Sequence, residues 1–550
     1  MEKIFLGIDV GTNSVRVGAF DRQGEMRGKG EHPITIWRPK PDFVEQSSED
    51  IWKATGKATR ACLKTGAINP GSVEGISFDA TCSLVALADG FEPITVSPTG
   101  RQNQNIIVWM DHRAVHQAQV INETGHEVLQ YVGGRISPEM EPPKLMWLRE
   151  NLKNTWKRAK KIMDLADYMV YRSTGNDARS LCTSVCKWTY LGHEGVSGKY
   201  RIDFFEGIGI PDLFDPERVP PVAHPMGVAA GGLTRAAAED LGLGQGIPVG
   251  VGIIDAHAGG IGSLGSVLGD SEKGENPFDR AIALIGGTSS CHMAVSPSPR
   301  FIDGVWGPYY GAMIPKMWLN EGGQSATGSL IDLVIKNNSS YMGISKAARA
   351  ANGVDIYTFL NGRVEKMREE HGLGIVRDLH VLPYHHGNRS PRADPYARGM
   401  VSGLTLSDTS EDVAVWYYAT IQAIAYGTRH IIEAMNAKGY DIRRIHFSGG
   451  HLKNELFIQE HADITGCEVI IPKEPEAVLL GAAILGAVGA GVFSDIPQGM
   501  RSMCRIGRVV HPNPSTFLLH GAKYEIFKEM YDFQRGIHEK MRKIEPGGGI

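Results

Sequence analysis

Apolar and polar positions follow a recurring order along this chain. An apolar run at 4–8, a short polar turn and a second apolar run at 15–20 open it, and a third apolar run covers 75–77. Short apolar runs bounded by glycine and small polar residues predict strands. Between them, 48–63 and 143–152 carry apolar residues at helical spacing and predict helices. That alternation predicts an α/β domain. It closes near Gly252-Ile-Ile-Asp-Ala-His-Ala-Gly-Gly-Ile-Gly262, and the polar, glycine-containing stretch 265–279 predicts a linker. Strand, turn and strand then recur over 281–295, with helices expected at 411–437 and 454–465. The longest apolar stretch, 478–493, is short for a membrane span and rich in Gly and Ala, so it predicts a buried helix in close contact with its neighbours. The end of the chain, with a charged helix at 522–543 and a Gly-rich tail, is expected to be a surface appendage. The division is a first domain over 1–265, a second over 280–493, and the appendage over 494–550.

The two strand-turn-strand units share a turn. One reads Leu6-Gly-Ile-Asp-Val-Gly-Thr-Asn-Ser-Val-Arg-Val-Gly-Ala-Phe20, the other Ala283-Leu-Ile-Gly-Gly-Thr-Ser-Ser-Cys-His-Met-Ala-Val295. Turns of glycine and small hydroxyl residues bare successive backbone N–H groups and can hold an anion. Gly11, Thr12, Asn13 and Ser14 form the first candidate, Gly287, Thr288 and Ser289 the second. Ordinary hairpins use the same residues. The duplication is what suggests a polyphosphate held between two related halves.

Length and composition narrow the field. A chain of 550 residues exceeds what one hydrophobic core serves, and 42% hydrophobic with 21% charged residues is the balance of a folded soluble protein. The formal net charge of −4 gives no basic footprint, so no nucleic-acid partner is expected. No membrane partner is expected either. Seven irregularly spaced cysteines suit reduced thiols. Cys182 and Cys186 are four apart, but no second cysteine pair completes a metal set. The N-terminus reaches Asp9 before an export signal could form, so a cytoplasmic location is expected. A homodimer stays open.

Asp9 ends the first apolar run just before the first turn, where a carboxylate can hold Mg2+; the alternative is a turn-forming Asp. Arg16, two residues beyond Ser14, could reach the same anion or point outward. Asp255 follows an apolar run and precedes a Gly-rich helix start. It is placed either to accept a proton from a substrate hydroxyl or to cap the helix. The neighbouring His257 reads as structural. Phe447-Ser-Gly-Gly-His-Leu-Lys-Asn454 offers Gly449 and Gly450 as a surface for a flat ring, with Asn454 near a base edge. Glu321 is a candidate hydroxyl ligand. His385 and His386 are discounted as a metal pair because adjacent side chains of an extended segment point apart.

In this order, these pieces resemble the FGGY family of carbohydrate kinases. They are Gly7-Ile-Asp-Val-Gly-Thr-Asn-Ser14, Trp109-Met-Asp-His-Arg113, Lys144-Leu-Met-Trp-Leu148, Asp255, Gly286-Gly-Thr-Ser-Ser290, Glu321-Gly-Gly-Gln324, Gly387-Asn-Arg-Ser-Pro391 with Asp394-Pro-Tyr-Ala-Arg-Gly399, and Ser448-Gly-Gly450. Glu141 and Gln422 depart from the family's usual signatures, outside the phosphate and base motifs. The resemblance implies a duplicated actin-like, hexokinase-like (ribonuclease H-like) α/β fold of two domains with a central cleft. It also implies transfer of the γ-phosphate of ATP, with Mg2+, to a sugar or polyol hydroxyl. The run Asp79-Ala-Thr-Cys-Ser-Leu-Val85 is similar to the ribulokinase branch, and Thr81-Cys-Ser-Leu-Val85 to D-ribulose kinases. That likeness implies sugar contacts at Ala80, Thr81, Lys187, Asp255 and Glu321, and Asp111 could add an acceptor. The expected reaction phosphorylates the 5-hydroxyl of D-ribulose, with Asp255 as base and Mg2+ near Asp9. L-ribulose, ribitol or another pentitol stay open as substrates. So do an ATPase of the actin-like fold and a non-catalytic sugar-binding regulator.

Overall fold

A computed structural model describes residues 2–195, 198–269, 276–351, 353–406 and 409–542. In the first half, β1 (Ile4–Val10), β2 (Ser14–Phe20) and β3 (Met26–Pro33) run antiparallel, followed by helix α1 (Ser48–Thr65) and strand β4 (Val73–Ala80). Helix α2 (Leu181–Lys187), β5 (Ala229–Gly232), β6 (Pro248–Ile254) and α3 (Asp255–Leu264) complete the parts that build the site. The strands form one sheet in the order β5-β6-β4-β1-β2-β3, with β1, β4 and β6 mutually parallel at its centre. Every residue of β1 is buried, as its unbroken apolar run requires of a strand covered on both faces.

The second half repeats the plan. Its strands are β7 (Ala281–Gly286), β8 (Ser290–Ser296), β9 (Trp306–Tyr310), β10 (Trp318–Gln324), β11 (Arg444–Gly449), β12 (Glu468–Pro472) and β13 (Ile506–Val510), in the order β9-β10-β8-β7-β11-β12-β13. Strand β7 is antiparallel to β8 and parallel to β11, just as β1 is antiparallel to β2 and parallel to β4. The duplicated two-domain α/β fold is therefore present. Helix α4 (Ser410–Asn436) starts from a capping box in which the Asp412 N–H donates to the Thr409 hydroxyl at 3.3 Å. Helix α5 (Glu455–Thr465) packs on it.

Helix α6 (Ala477–Gly489) is the apolar stretch read as buried, and it joins the halves. Its residues pack on α3, β1 and β4 rather than on the second sheet alone. Glycines make this approach possible. A Cβ on Gly481 would strike the Ala258 carbonyl oxygen, one on Gly262 the Ala477 carbonyl, and one on Gly7 the Leu479 carbonyl.

The end of the chain does not stand off as a surface appendage. Strand β13 pairs with β12 at the sheet edge, α7 (Ile496–Met503) packs on α6, and α8 (Phe517–Arg542) buries one face. Tyr524, Phe527, Met530 and Tyr531 of α8 are buried with Leu382, Tyr384, Ala425 and Tyr426. Their helical spacing is interleaved with charges, which hides the apolar face from a reading of composition. The expected linker is flanked by short 3-10 turns at Gly265–Gly269 and Pro277–Arg280. Its middle, 270–275, and the Gly-rich tail, 543–550, lie outside the described residues.

Candidate active site

Parallel pairing sets the floor of the site. In register, Asp9 of β1 faces Asp79 of β4, while Val10 and Ile254 both face Ala80. The residue after Ile254 is Asp255, so three parallel strands deliver Asp9, Asp79, Ala80 and Asp255 at their carboxyl ends, where open α/β sheets bind ligands. Asp9 and Asp79 are fully buried, and Asp255 is partly buried. Burial, then the neighbouring Asp9 and Asp255, push the Asp79 carboxyl well above its usual range. Both Asp79 oxygens are buried without a hydrogen-bond partner. A carboxylate cluster with such unpaired oxygens suits a hard divalent cation. Asp79 is the site residue that the sequence reading missed, although it ends an apolar run just as Asp9 does.

Asp255 is the first residue inside α3, whose cap is Ile254. Its Oδ1 accepts the Ala256 N–H at 2.7 Å. Burial, then the charge of Asp9, raises its carboxyl to about 6. Arg16, expected to reach an anion, instead closes on Asp9, with Nε donating to Oδ2 at 2.8 Å, and on Glu476 at 3.2 Å. The strand pairing that sets Arg16 opposite Asp9 explains this contact. Arg16 orders the carboxylate rather than standing free for phosphate.

The two turns have matching peptide orientations. In the first, the Thr12 carbonyl accepts from Gln46 Nε2 at 2.8 Å and the Asn13 carbonyl from the Ile34 N–H at 3.0 Å. In the second, the Gly287 carbonyl accepts from the Gly328 N–H at 3.1 Å and the Thr288 carbonyl from the Thr327 N–H at 3.0 Å. In a trans peptide the following N–H points the opposite way. Anchored carbonyls therefore turn out the N–H groups of Asn13 and Ser14 in one turn, and of Thr288 and Ser289 in the other. One hydroxyl is not available as expected, since Ser14 donates to Glu31 at 2.8 Å; Thr12 accepts from Trp109 Nε1 at 3.1 Å, which leaves its own O–H to donate.

Beside the carboxylates lies a charged pocket drawn from both halves. Lys187 ends α2, and its ammonium sits 4.7 Å from the centre of the Trp306 ring. Burial alone would lower its pKa, but Cys82, Glu321 and other neighbours outweigh it and hold the amine well above its usual value. Glu321 on β10 is buried, and its Oε2 lacks a hydrogen-bond partner. His257 Nε2 lies 3.7 Å from that oxygen, and burial lowers the imidazole to about 4, leaving it neutral at physiological pH. Thr81 donates its N–H to the Val10 carbonyl at 3.1 Å and keeps its hydroxyl beside Ser83. Buried charges with unpaired atoms call for a polar ligand.

With this geometry in view, residues 4–262 match the N-terminal domain of the FGGY family of carbohydrate kinases, and 282–490 match its C-terminal domain. The chain belongs to that family. This FGGY kinase is 47% identical over 550 residues to an FGGY carbohydrate kinase domain-containing protein of Xenopus laevis, covering 99% of each chain. It is 38% identical over 518 residues to a D-ribulokinase of Saccharomyces cerevisiae, covering 89% of this chain and 72% of the relative. In fold it matches a ligand-bound xylulose kinase from Lactobacillus acidophilus with a TM-score of 0.79 at 19% identity, covering 98% of this chain and all of that one, 100%.

Two expected contacts of this FGGY kinase are used elsewhere. Asp111 is fully buried, with Oδ1 accepting the Arg113 N–H at 2.9 Å and Oδ2 accepting the Val44 N–H at 2.6 Å. Its other bonds go to the Arg113 guanidinium at 2.7–2.8 Å, so no lone pair faces the pocket. Asn454 is the N-cap of α5: its side-chain oxygen accepts from the Phe457 N–H and from Asn361, and its amide donates to Tyr417. It shapes the loop rather than reading a base edge. Gly449 and Gly450 remain as the flat surface. Gly449 has φ 90° against the Gly286 carbonyl, and a Cβ on Gly450 would meet open space. No helix among the described residues is long and apolar enough to cross a membrane.

Proposed function

We propose that this kinase transfers the γ-phosphoryl group of ATP to the 5-hydroxyl of D-ribulose, yielding D-ribulose 5-phosphate. The observation that carries this reading is the partly buried Asp255, raised to about 6, at the end of the carboxylate row and in one electrostatic neighbourhood with Lys187 and Glu321. A base with a pKa near neutrality removes a hydroxyl proton most effectively as the oxygen attacks. The relative named as a D-ribulokinase supports the pentulose as substrate.

Each residue then has a task. Asp255 takes the proton. Lys187 and Glu321, with backbone at Ala80 and Thr81, hold the sugar hydroxyls from several sides. The outward N–H groups of Asn13, Ser14, Thr288 and Ser289 grip the phosphates from the two halves, and Gly449-Gly450 receives the adenosine. Asp9 and Asp79 would hold Mg2+, which when bound offsets charge on the β- and γ-oxygens. Positioning of this kind supplies about 7–11 kcal/mol in favourable intramolecular cases. Phosphorus NMR of the product tests the assignment. A phosphomonoester on C5 is expected, and a phosphate on any other carbon, C1 included, overturns it.

A further inference from the structure

We propose a second metal site beside the sugar residues, preformed by Cys182, Cys186 and His257, completed by a turn of Glu321 and selective for Zn2+ or a similar thiophilic divalent ion. Its occupancy excludes the pentulose.

Three side chains from two helices meet there, and a fourth from a strand touches one of them. Cys182 and Cys186 lie one turn apart on the same face of α2. His257 comes from the first turn of α3 and Glu321 from β10. The two Sγ atoms and a His257 ring nitrogen lie within 4.8 Å of one another. Cys186 Sγ is 3.6 Å from His257 Nε2. Zinc bonds of about 2.3 Å to sulfur and 2.0–2.1 Å to nitrogen, at a tetrahedral angle, set those atoms about 3.5 Å apart. Glu321 Oε2, 3.7 Å from the same nitrogen and buried without a hydrogen-bond partner, lies outside the group of atoms within 4.8 Å of one another and would become the fourth ligand by a turn of its side chain. His257 Nδ1 is also buried without a partner. A packed core normally satisfies such atoms.

The sequence shows a cysteine pair with no second pair; the fold completes it with a histidine and a glutamate from distant segments. The donor set separates this site from the carboxylate row: two thiols and an imidazole suit Zn2+, whereas Asp9 and Asp79 suit Mg2+. On binding, the two thiols release their protons to solvent and coordinate as thiolates, next to the ammonium of Lys187. The exclusion of sugar rests on Glu321 serving the pentulose as proposed above, since one carboxylate cannot serve both ligands.

The test is Co2+ titration of the full-length protein under a thiol-free reductant. An intense thiolate-to-cobalt charge-transfer band is expected, discharged by Zn2+ and lost in the C182S/C186S double variant. Zinc K-edge absorption of the unmodified protein should show sulfur and nitrogen or oxygen in the first shell, a readout that needs no variant. Absence of sulfur ligation in either measurement overturns the site. Addition of D-ribulose should bleach the band. A band that persists at saturating pentulose, with phosphorylation intact, overturns the exclusion while leaving the metal site standing. A band bleached by another sugar and not by D-ribulose contradicts the substrate assignment instead.

Discussion

At the scale of single residues, the proposed reaction turns on Asp255. Replacement by Asn should lower turnover by about 10²–10⁴-fold, the usual share of a general base, while nucleotide affinity measured by calorimetry stays near that of the native enzyme. Because the carboxyl titrates at about 6 and works only when ionised, kcat/KM should fall as pH drops through that value and level off above it. In Asp255→Asn the residual rate should lose that acid limb. Stability should move the opposite way. A carboxyl raised in the folded state is destabilising when ionised, so Asp255→Asn should gain up to about 3 kcal/mol at pH 8 and close to nothing below about pH 3. Denaturant titrations at the two pH values check this, and equal gains at both would remove the electrostatic cause. The placement of Asp255 after a strand and of the glycine-hydroxyl turns between strands was legible in the sequence because those signals are local. Asp111 and Asn454 were misread because partners that use up their polar atoms, Val44 in one case and Asn361 and Tyr417 in the other, appear only when the chain folds back.

At the scale of elements, the crossing of α6 over α3 holds the halves together, and glycines bring the backbones close. Gly481→Val would drive a branched side chain into the Ala258 carbonyl. A loss of stability of about 1–3 kcal/mol or more is expected from such overpacking. Thermal unfolding is the check, and an unchanged midpoint would show that the crossing yields without cost. The Gly- and Ala-rich run announced this helix in the sequence. Helix α8 gave no such sign: Tyr524, Phe527 and Tyr531 are spread among Lys and Glu, and the charges dominate the composition. Asp79 went unremarked for a related reason, since its importance comes from strand register with Asp9 rather than from its neighbours in sequence.

For the molecule as a whole, two halves of one plan differ in what each adds to it. Both halves keep the hairpin, the parallel neighbour and the turn with anchored carbonyls. The first adds the carboxylate row and Lys187, and the second adds Glu321 and the Gly449-Gly450 surface. Arg389 of the second half pairs with Glu139 of the first at 3.3 Å, so the pocket walls are tied across the cleft. Closure of such a cleft keeps water from the γ-phosphate. On the proposed reading, handedness at the sugar carbons depends on how Lys187 and Glu321 are spaced across two domains, which no linear pattern encodes. The most direct measurement is therefore ADP release by the purified enzyme, coupled to a reporter, across D-ribulose, L-ribulose, D-xylulose, ribitol and glycerol. The expected result is the highest kcat/KM with D-ribulose; turnover of another sugar or polyol with no response to D-ribulose would contradict it.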